Sequence, residues 1–239
     1  MSFSKSHPPK PAKELSRSRK SAGMRSAIIR AAIETINAKS YALATLVEIA
    51  AILDLRDAAL YHYFPNKQAL AYACHRHSLE RTEALLMATD GAGGTGEIKL
   101  RHFMRGMLVD AAENGPQLYF GDFSYLEVMH RTAISTWAER LKDLVVKFLK
   151  EGMADGSIVQ CEPELVVQLL IGMLIWLAKW APAVDGLTVD RLMSAIDASV
   201  FRGLDRSDNV VLPNSGTRRT PIINRANNGP LLKRLAKTK

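Results

Sequence analysis

The sequence holds only two cysteines in 239 residues, Cys74 and Cys161, far apart and without C-x-x-C spacing. That pattern carries no disulfide framework and no thiolate zinc site, so a reducing cytoplasm is the default compartment. No apolar run near the amino terminus reads as a secretory signal. Residues Leu165 to Leu177 are apolar apart from Gln168, with Lys179 close behind. That run is short of the ~20 residues of a bilayer span, so a buried helix is expected. The chain also lacks the usual catalytic constellations. The glycines of residues 91–96 follow no strand and do not match G-x-x-x-x-G-K-[ST]. There is no nucleophile–base pattern and no metal-ligand spacing, so no catalysis and no cofactor are expected. Cys74 and His77 share a helical face, but His75 points elsewhere and no fourth ligand lies nearby, so a solvated or interdomain helix face is expected there.

Strand-like alternation is scarce and helical periodicity is everywhere. With an ordinary apolar fraction of 47%, the expected fold class is all-α with a sizeable core. The net charge of +8 is unevenly placed. Residues 1–80 hold 12 Lys/Arg against 6 Asp/Glu, residues 81–204 hold 12 against 16, and residues 205–239 hold 8 against 2. A basic first segment joined to an acidic middle points to nucleic acid as the partner of the amino-terminal part. For the basic carboxyl tail, aid to solubility is an equal alternative.

The most informative stretch runs from Thr45 to Leu70, TLVEIAAILDLRDAALYHYFPNKQAL. Leu46, Ile49, Ala50 and Leu53 recur at helical spacing, Asp54-Leu55 breaks the period, and Leu60 and Phe64 resume it four residues apart. Pro65-Asn66 stops the second helix, since proline lacks an N–H and disfavours helical geometry before it. Two helices this short cannot bury their faces alone and must be pinned by neighbours, which is the anatomy of a helix-turn-helix.

T-x-x-x-I-A at 45–50 followed by L-Y-H-Y-F-P-N-K-Q-A-L at 60–70 resembles the DNA-binding signature of the TetR (tetracycline-repressor-like) family of bacterial regulators, over about Met24 to Leu70. Two positions depart from it: Asp54 stands where the family usually has the turn glycine, and Arg56 where it has the serine cap. Asp tolerates left-handed geometry better than most residues, and Asp57 is an alternative cap. The resemblance implies a three-helix head on a larger helical body of about nine helices in all. The family's phosphate-holding positions fall on Thr45, Tyr61, His62 and Lys67. Arg56, Asp57, Ala58 and Ala59, at the start of the recognition helix, are placed to face base edges: Arg56 could pair with guanine, Asp57 could accept from cytosine, and the alanines could contact thymine methyls. Tyr63 and Phe64 are expected in the core.

Taken in order, residues 1–20 form a basic arm expected to be disordered, with Arg17, Arg19 and Lys20 either lying along DNA or belonging to a non-binding terminus. The head covers 21–68, with its first helix from about Ala22 to Ala38 and Ile28, Ala32, Ile33 and Ile36 as the buried stripe. The body covers 69–204. Its expected elements are a helix from Lys67 to about Ala88, a glycine-rich loop over Asp90–Glu97, and helices over Ile98–Ala112, Phe120–His130, Ala133–Ala154, Pro163–Ala181 and Asp190–Leu204. Residues 205–239 are expected to be a flexible basic tail. Candidate effector contacts are Phe103, Met107, Phe120, Phe123, Tyr125, Met129, Trp137 and Trp176, with His130 or Arg131 as polar anchor. Ordinary core packing is the competing account of each, and an apolar or aromatic ligand would suit them. In the family the last two helices pair with their mates, which places Leu165, Leu169, Met173, Trp176, Leu192, Ile196 and Val200 in a dimer interface. The expected partners are a near-palindromic DNA operator, a second copy of the chain and a small-molecule effector. Non-specific DNA binding through basic tails is the rival reading.

Overall fold

The structure is a computed structural model that describes residues 12–118 and 123–202. Its described residues form eight α-helices and no strand: α1 (Ala12–Lys39), α2 (Leu46–Ile52), α3 (Asp57–Tyr63), α4 (Lys67–Ala92), α5 (Gly96–Asn114), α6 (Val128–Asp155), α7 (Pro163–Trp180) and α8 (Val189–Ile196). A 3-10 turn (Ala181–Ala183) follows α7, and a π-helical turn (Asp197–Phe201) follows α8. The chain divides into two compact units, Met1–Ala195 and Ile196–Lys239; of the second, the described part is Ile196 to Arg202.

The head closes around one small core. Ile28, Ala32, Ile33 and Ile36 bury the predicted stripe of α1. They meet Ile49 and Ala50 of α2, Leu60 of α3, Phe64, and Leu70 and Cys74 of α4. Each of the Ile, Leu and Phe side chains removed from water contributes roughly 1.5–3 kcal/mol, which lets helices of seven residues persist where isolated peptides of that length would not. Thr45 caps α2, its hydroxyl accepting from the Glu48 N–H. The turn into α3 is closed by the Leu55 N–H donating to Ala50 O at 2.9 Å. Asp54 takes φ +53° there, the left-handed geometry that the missing glycine would otherwise supply. Asn66 caps α4 by accepting from Ala69 N–H at 2.8 Å.

In the body, α4, α5 and α6 pack on one another, and α7 lies against α5 and α6. Their far end is tied by charge: Lys99 donates to Asp90 and Glu151, each at 2.8 Å, and Lys147 to Asp90 at 2.7 Å. Hydrogen bonds from Lys147 and Lys99 hold the Asp90 carboxyl below its ordinary range. At the same end α5 meets α6 backbone to backbone. A Cβ on Gly96 would collide with Gly152 N and Phe148 O, while Gly96 N–H donates to Asp155 Oδ2 at 2.9 Å and Glu97 N–H to Ser157 Oγ at 3.2 Å. The glycine is required by that close approach. Nearer the head, Arg81 of α4 holds Asp110 at 2.6 Å and donates to Gly115 O at 2.7 Å.

Several expected boundaries move. α1 starts at Ala12, so residues 12–20 of the expected disordered arm are helical: Ala12 to Lys20 contain no proline, and good helix formers extend the period backwards. The glycine-rich loop shrinks to 93–95, because α4 runs through Gly91 and Ala92 and α5 begins at Gly96, capped by Thr95. The separate helix expected at Phe120–His130 is not there. Residues 119–122 lie outside the described residues, Phe123 to Leu126 form a turn closed by Leu126 N–H to Phe123 O at 3.0 Å, and Val128 opens α6. The last helix is interrupted after Ile196 by the π turn. Residues 1–11 and 203–239, with the expected tail, also lie outside the described residues.

The largest difference is at α7. A helix buried on more than one side was expected, yet only Pro163, Val167 and Leu170 are buried within the chain. Leu165, Leu169, Trp176 and Trp180 are exposed along it. Among the described residues, Pro163–Ala183 is the one stretch long and apolar enough to cross a membrane. This helix is nevertheless tied into the fold at both ends, Glu164 to Lys150 at 2.9 Å and Lys179 to the Asn37 carbonyl of α1.

Candidate nucleic-acid interface and body cavity

The head presents its polar and basic groups outside the closed core. α3 begins at Asp57 with Arg56 as its N-cap, and the Arg56 side chain makes no capping bond. The expectation that Asp57 caps the helix is therefore corrected: Asp57 occupies the first helical position, one residue too late to cap. Arg56 and Ala58 are exposed and Ala59 half-buried. Tyr61 and His62 are exposed on the next turn, with His62 edge-on to Tyr63 at 5.7 Å. Tyr63 is half-buried and Phe64 buried, as expected of core residues. Thr45 is exposed at the start of α2, one turn from Glu48, which pairs with Lys39. Lys67 differs from a free surface cation. Its ammonium donates to Ala42 O at 3.2 Å and sits 4.3 Å from the Tyr41 ring, and burial lowers its pKa. An ammonium has three N–H donors, and Lys67 pins the α1–α2 turn with one of them. Lys20 is exposed on α1; the side chains of Arg17, Arg19 and Asp57 lie outside the described ones.

The body contains two adjoining cavities. The inner one, about 190 Å³, is lined by Leu79, Leu86, Phe103, Met107, Phe123 and Ile175 among others. The outer one, about 540 Å³, lies between α5, α7 and the 181–189 segment, with Leu108, Leu118, Pro182 and Leu187 in its wall. Met107, Leu174 and Ile175 line both. The walls are apolar, with Thr82, Gln117, Gln168 and Thr188 as neutral polar groups and Lys142, Glu139 and Asp185 as charged ones. The size and chemistry are those of a small-molecule site.

Three expected contacts, Phe103, Met107 and Phe123, line the inner cavity. The others do not line these two cavities. Met129 is 76% exposed on the outer surface of α6, and Trp176 is 52% exposed on α7. His130 stacks on Tyr72, ring centroids 4.0 Å apart. Arg131 and Trp137 are half-buried on α6; the Trp137 indole N–H is buried and has no acceptor among the described residues. Tyr125 stacks on Tyr41 of the head instead. Phe120 lies outside the described residues. Around Cys74–His77 the helix face is interdomain rather than solvated, the second of the two expected alternatives. Cys74 and His75 are wholly buried, because α4 passes between head core and body, and only His77 is half-buried. Burial pushes the His75 pKa down to about 4. Among the described residues no cluster of His, Cys, Asp or Glu is placed to hold a metal. The walls contributed by Leu174, Ile175 and residues 181–189 were not anticipated; the only signal for them was the turn-forming APAVDG after an apolar helix.

Of the expected interface residues, Leu165, Leu169 and Trp176 are exposed and Met173, Leu192 and Val200 half-buried. Ile196, the first residue of the second unit, is buried.

A closed three-helix head with an exposed second helix of its helix-turn-helix, on a larger helical body with an apolar cavity, defines the helix-turn-helix class of regulator. Residues 28–74 match the family described as bacterial regulatory proteins, tetR family, and residues 93–204 match the tetracyclin repressor-like C-terminal domain. The chain belongs to the TetR family, a family of DNA-binding transcriptional regulators. No curated relative matches it. Its fold is similar to that of PfmR, a TetR family regulator from Thermus thermophilus (22% identity, TM-score 0.62, 75% of this chain and 99% of that one). AibR, solved in complex with isovaleryl coenzyme A and operator DNA, is 21% identical with TM-score 0.64 over 75% of this chain and 99% of that one. The ketosteroid transcriptional regulator of Mycobacterium tuberculosis is 15% identical with TM-score 0.64 over 73% and 91%.

Proposed function

We propose that this protein is a homodimeric, ligand-released repressor acting in the cytoplasm, with a head over 21–68 and an effector-binding and dimerising body over 69–204. The observation that carries the reading is the open apolar face of α7. Leu169 is 68% exposed and Trp176 52% in a single chain, and a face of that kind on a soluble protein marks association. Pairing it with a second copy joins two heads, and each α3 then enters successive major grooves about one turn, roughly 34–36 Å, apart. Arg56 reads bases, while Thr45, Tyr61, His62 and Lys67 hold phosphates and set register.

The effector enters the adjoining cavities of the body and favours a head spacing that no longer fits the operator. It does so only by the difference in its affinity for the two arrangements. The apolar walls suit an acyl, aromatic or fused-ring group, and the isovaleryl coenzyme A bound by AibR is the first molecule to try.

Selection of bound DNA from a random pool at moderate salt tests the reading. A palindromic motif with half-sites about one helical turn apart is expected. Enrichment of no motif, with steep salt dependence alone, would favour non-specific binding through the basic ends. Arg56→Ala should then relax preference at one base pair of the motif by about 1–3 kcal/mol. An unchanged motif would remove Arg56 from base reading.

A further inference from the structure

The two described flanks of the α5–α6 connection each touch both a cavity and the head. On the first, Pro116, Gln117 and Leu118 line the outer cavity. The Gln117 carbonyl accepts from Asn37 Nδ2 of α1 at 2.8 Å, and Leu118 is part of the head core. On the second, Phe123 lines the inner cavity and stands edge-on to the His75 ring at 5.0 Å. Two residues on, Tyr125 Oη lies 2.7 Å from His75 Nε2, and the Tyr125 carbonyl accepts from Gln68 Nε2 at 3.0 Å. The Tyr125 ring lies flat on Tyr41, with centroids 3.7 Å apart and planes within 8°. Tyr41 belongs to the α1–α2 turn, the turn that Lys67 pins and that presents Thr45.

We propose that Tyr125 is a positioning residue for DNA binding, linking occupancy of the inner cavity to the orientation of the α1–α2 turn through Phe123, His75 and Tyr41. The inference rests on the head being the DNA-reading part of the protein. A molecule pressing on Phe123 meets a ring packed on His75, which is fully buried and has no solvent to move into. Packed interiors respond by switching between discrete arrangements rather than by deforming smoothly. His75 moves with Phe123, and its hydrogen bond takes the Tyr125 hydroxyl along. The stacked ring then draws or releases Tyr41, and Thr45 four residues further changes its place relative to α3. α4 also reaches this turn, through Lys67 at Ala42 O and the Tyr41 ring, and Tyr125 adds a second contact to it from the α5–α6 connection.

The test uses the full-length protein, with cavity filling in place of an effector. Met107→Trp fills the wall shared by both cavities, and Leu174→Trp fills the same wall from α7 if the first variant does not fold. Hydrogen exchange is read at the backbone amides of residues 41–53. Cavity filling is expected to change their exchange about fivefold or more, the lower end of ordinary allosteric coupling. Tyr125→Phe keeps the stack and loses the bond to His75. It should leave resting exchange of the turn unchanged and abolish the response to Met107→Trp. Tyr125→Ala should raise resting exchange and abolish the response as well. The same response in the Tyr125 variants as in the parent, or none in the parent itself, overturns the proposal. Neither DNA nor effector enters this cycle, so a protein that selects no operator refutes the repressor reading and leaves the linkage to be decided by its own data.

Discussion

The head and the body are made of the same kind of helix, yet they close in different ways. The head core is complete within one chain: Ile28, Ile33, Ile49, Leu60 and Leu70 are all shielded by one another and by their neighbours in a single cluster. The body stays open in two senses, with cavities at its centre and the uncovered face of α7 outside. A small core that must hold two seven-residue helices in register leaves no slack. A body that admits a ligand and a partner, as proposed, cannot fill every space.

Four experiments would break or sharpen that contrast. The largest effect is expected at α7. Leu169→Arg places a charge on the open apolar face and should shift the protein to monomer, with roughly a hundredfold loss of operator affinity or more, since two linked heads bind far more tightly than one. Sedimentation and DNA titration read it. A variant that stays dimeric moves the interface elsewhere. In the head, Ile49→Ala leaves a void among shielded neighbours and should cost about 2–5 kcal/mol of stability, measured by denaturant unfolding. A loss below ~1 kcal/mol would mean the head core is looser than its burial implies.

The boundary between the two regions titrates. His75 is held neutral, with its pKa pushed down from 6.5 to about 4. Between those values the unfolded chain binds the proton and the folded one does not, so stability is full above about pH 6.5 and falls as pH drops towards 4. The whole loss is about 3 kcal/mol. His75→Gln should flatten that part of the pH–stability curve, and an unchanged slope would assign the acid sensitivity to other groups. The smallest effect belongs to Thr45→Ala, which removes the α2 cap and about 1 kcal/mol, with a uniform weakening of binding to all DNA sequences.

The same contrast explains what could be read from the sequence. The head was legible because its constraints are local: Thr45 caps, Leu46 to Leu53 keep a helical period, and Pro65-Asn66 ends α3. Even the exchange of glycine for Asp54 was readable, since few residues tolerate the φ of +53° that the turn adopts. The body was legible as helices and partly misread as a site. Phe103, Met107 and Phe123 could be placed in a cavity from their type alone, but Met129 and Trp176 have the same type and point outward. Apolar character does not encode which face of a helix meets a cavity, a partner or the core; that is decided by packing between residues distant in sequence. Tyr125 reads as a candidate effector contact with ordinary packing as the alternative, and the packing could not be specified from the sequence because its partner Tyr41 lies in another region of the chain. The early start of α1 was missed because charge and serine content argue for disorder only when helix propensity is not weighed against them.

The meeting of Gly96 with Gly152 has a mechanical consequence. Two helices touching backbone to backbone at one end, flanked by the Lys99 and Lys147 ion pairs, cannot slide past each other, since any shift drives main chain into main chain. The freedom left to α5 and α6 is that of a pair of tongs, fixed at the joint and able to spread at the tips. Those tips are Asn114 and Val128, the two ends of the connection that carries Phe123 and Tyr125. The inner cavity lies between joint and tips, at Phe103 and Met107 on α5 and Leu141 and Val145 on α6, so any spreading it caused would be largest at the tips, next to the head.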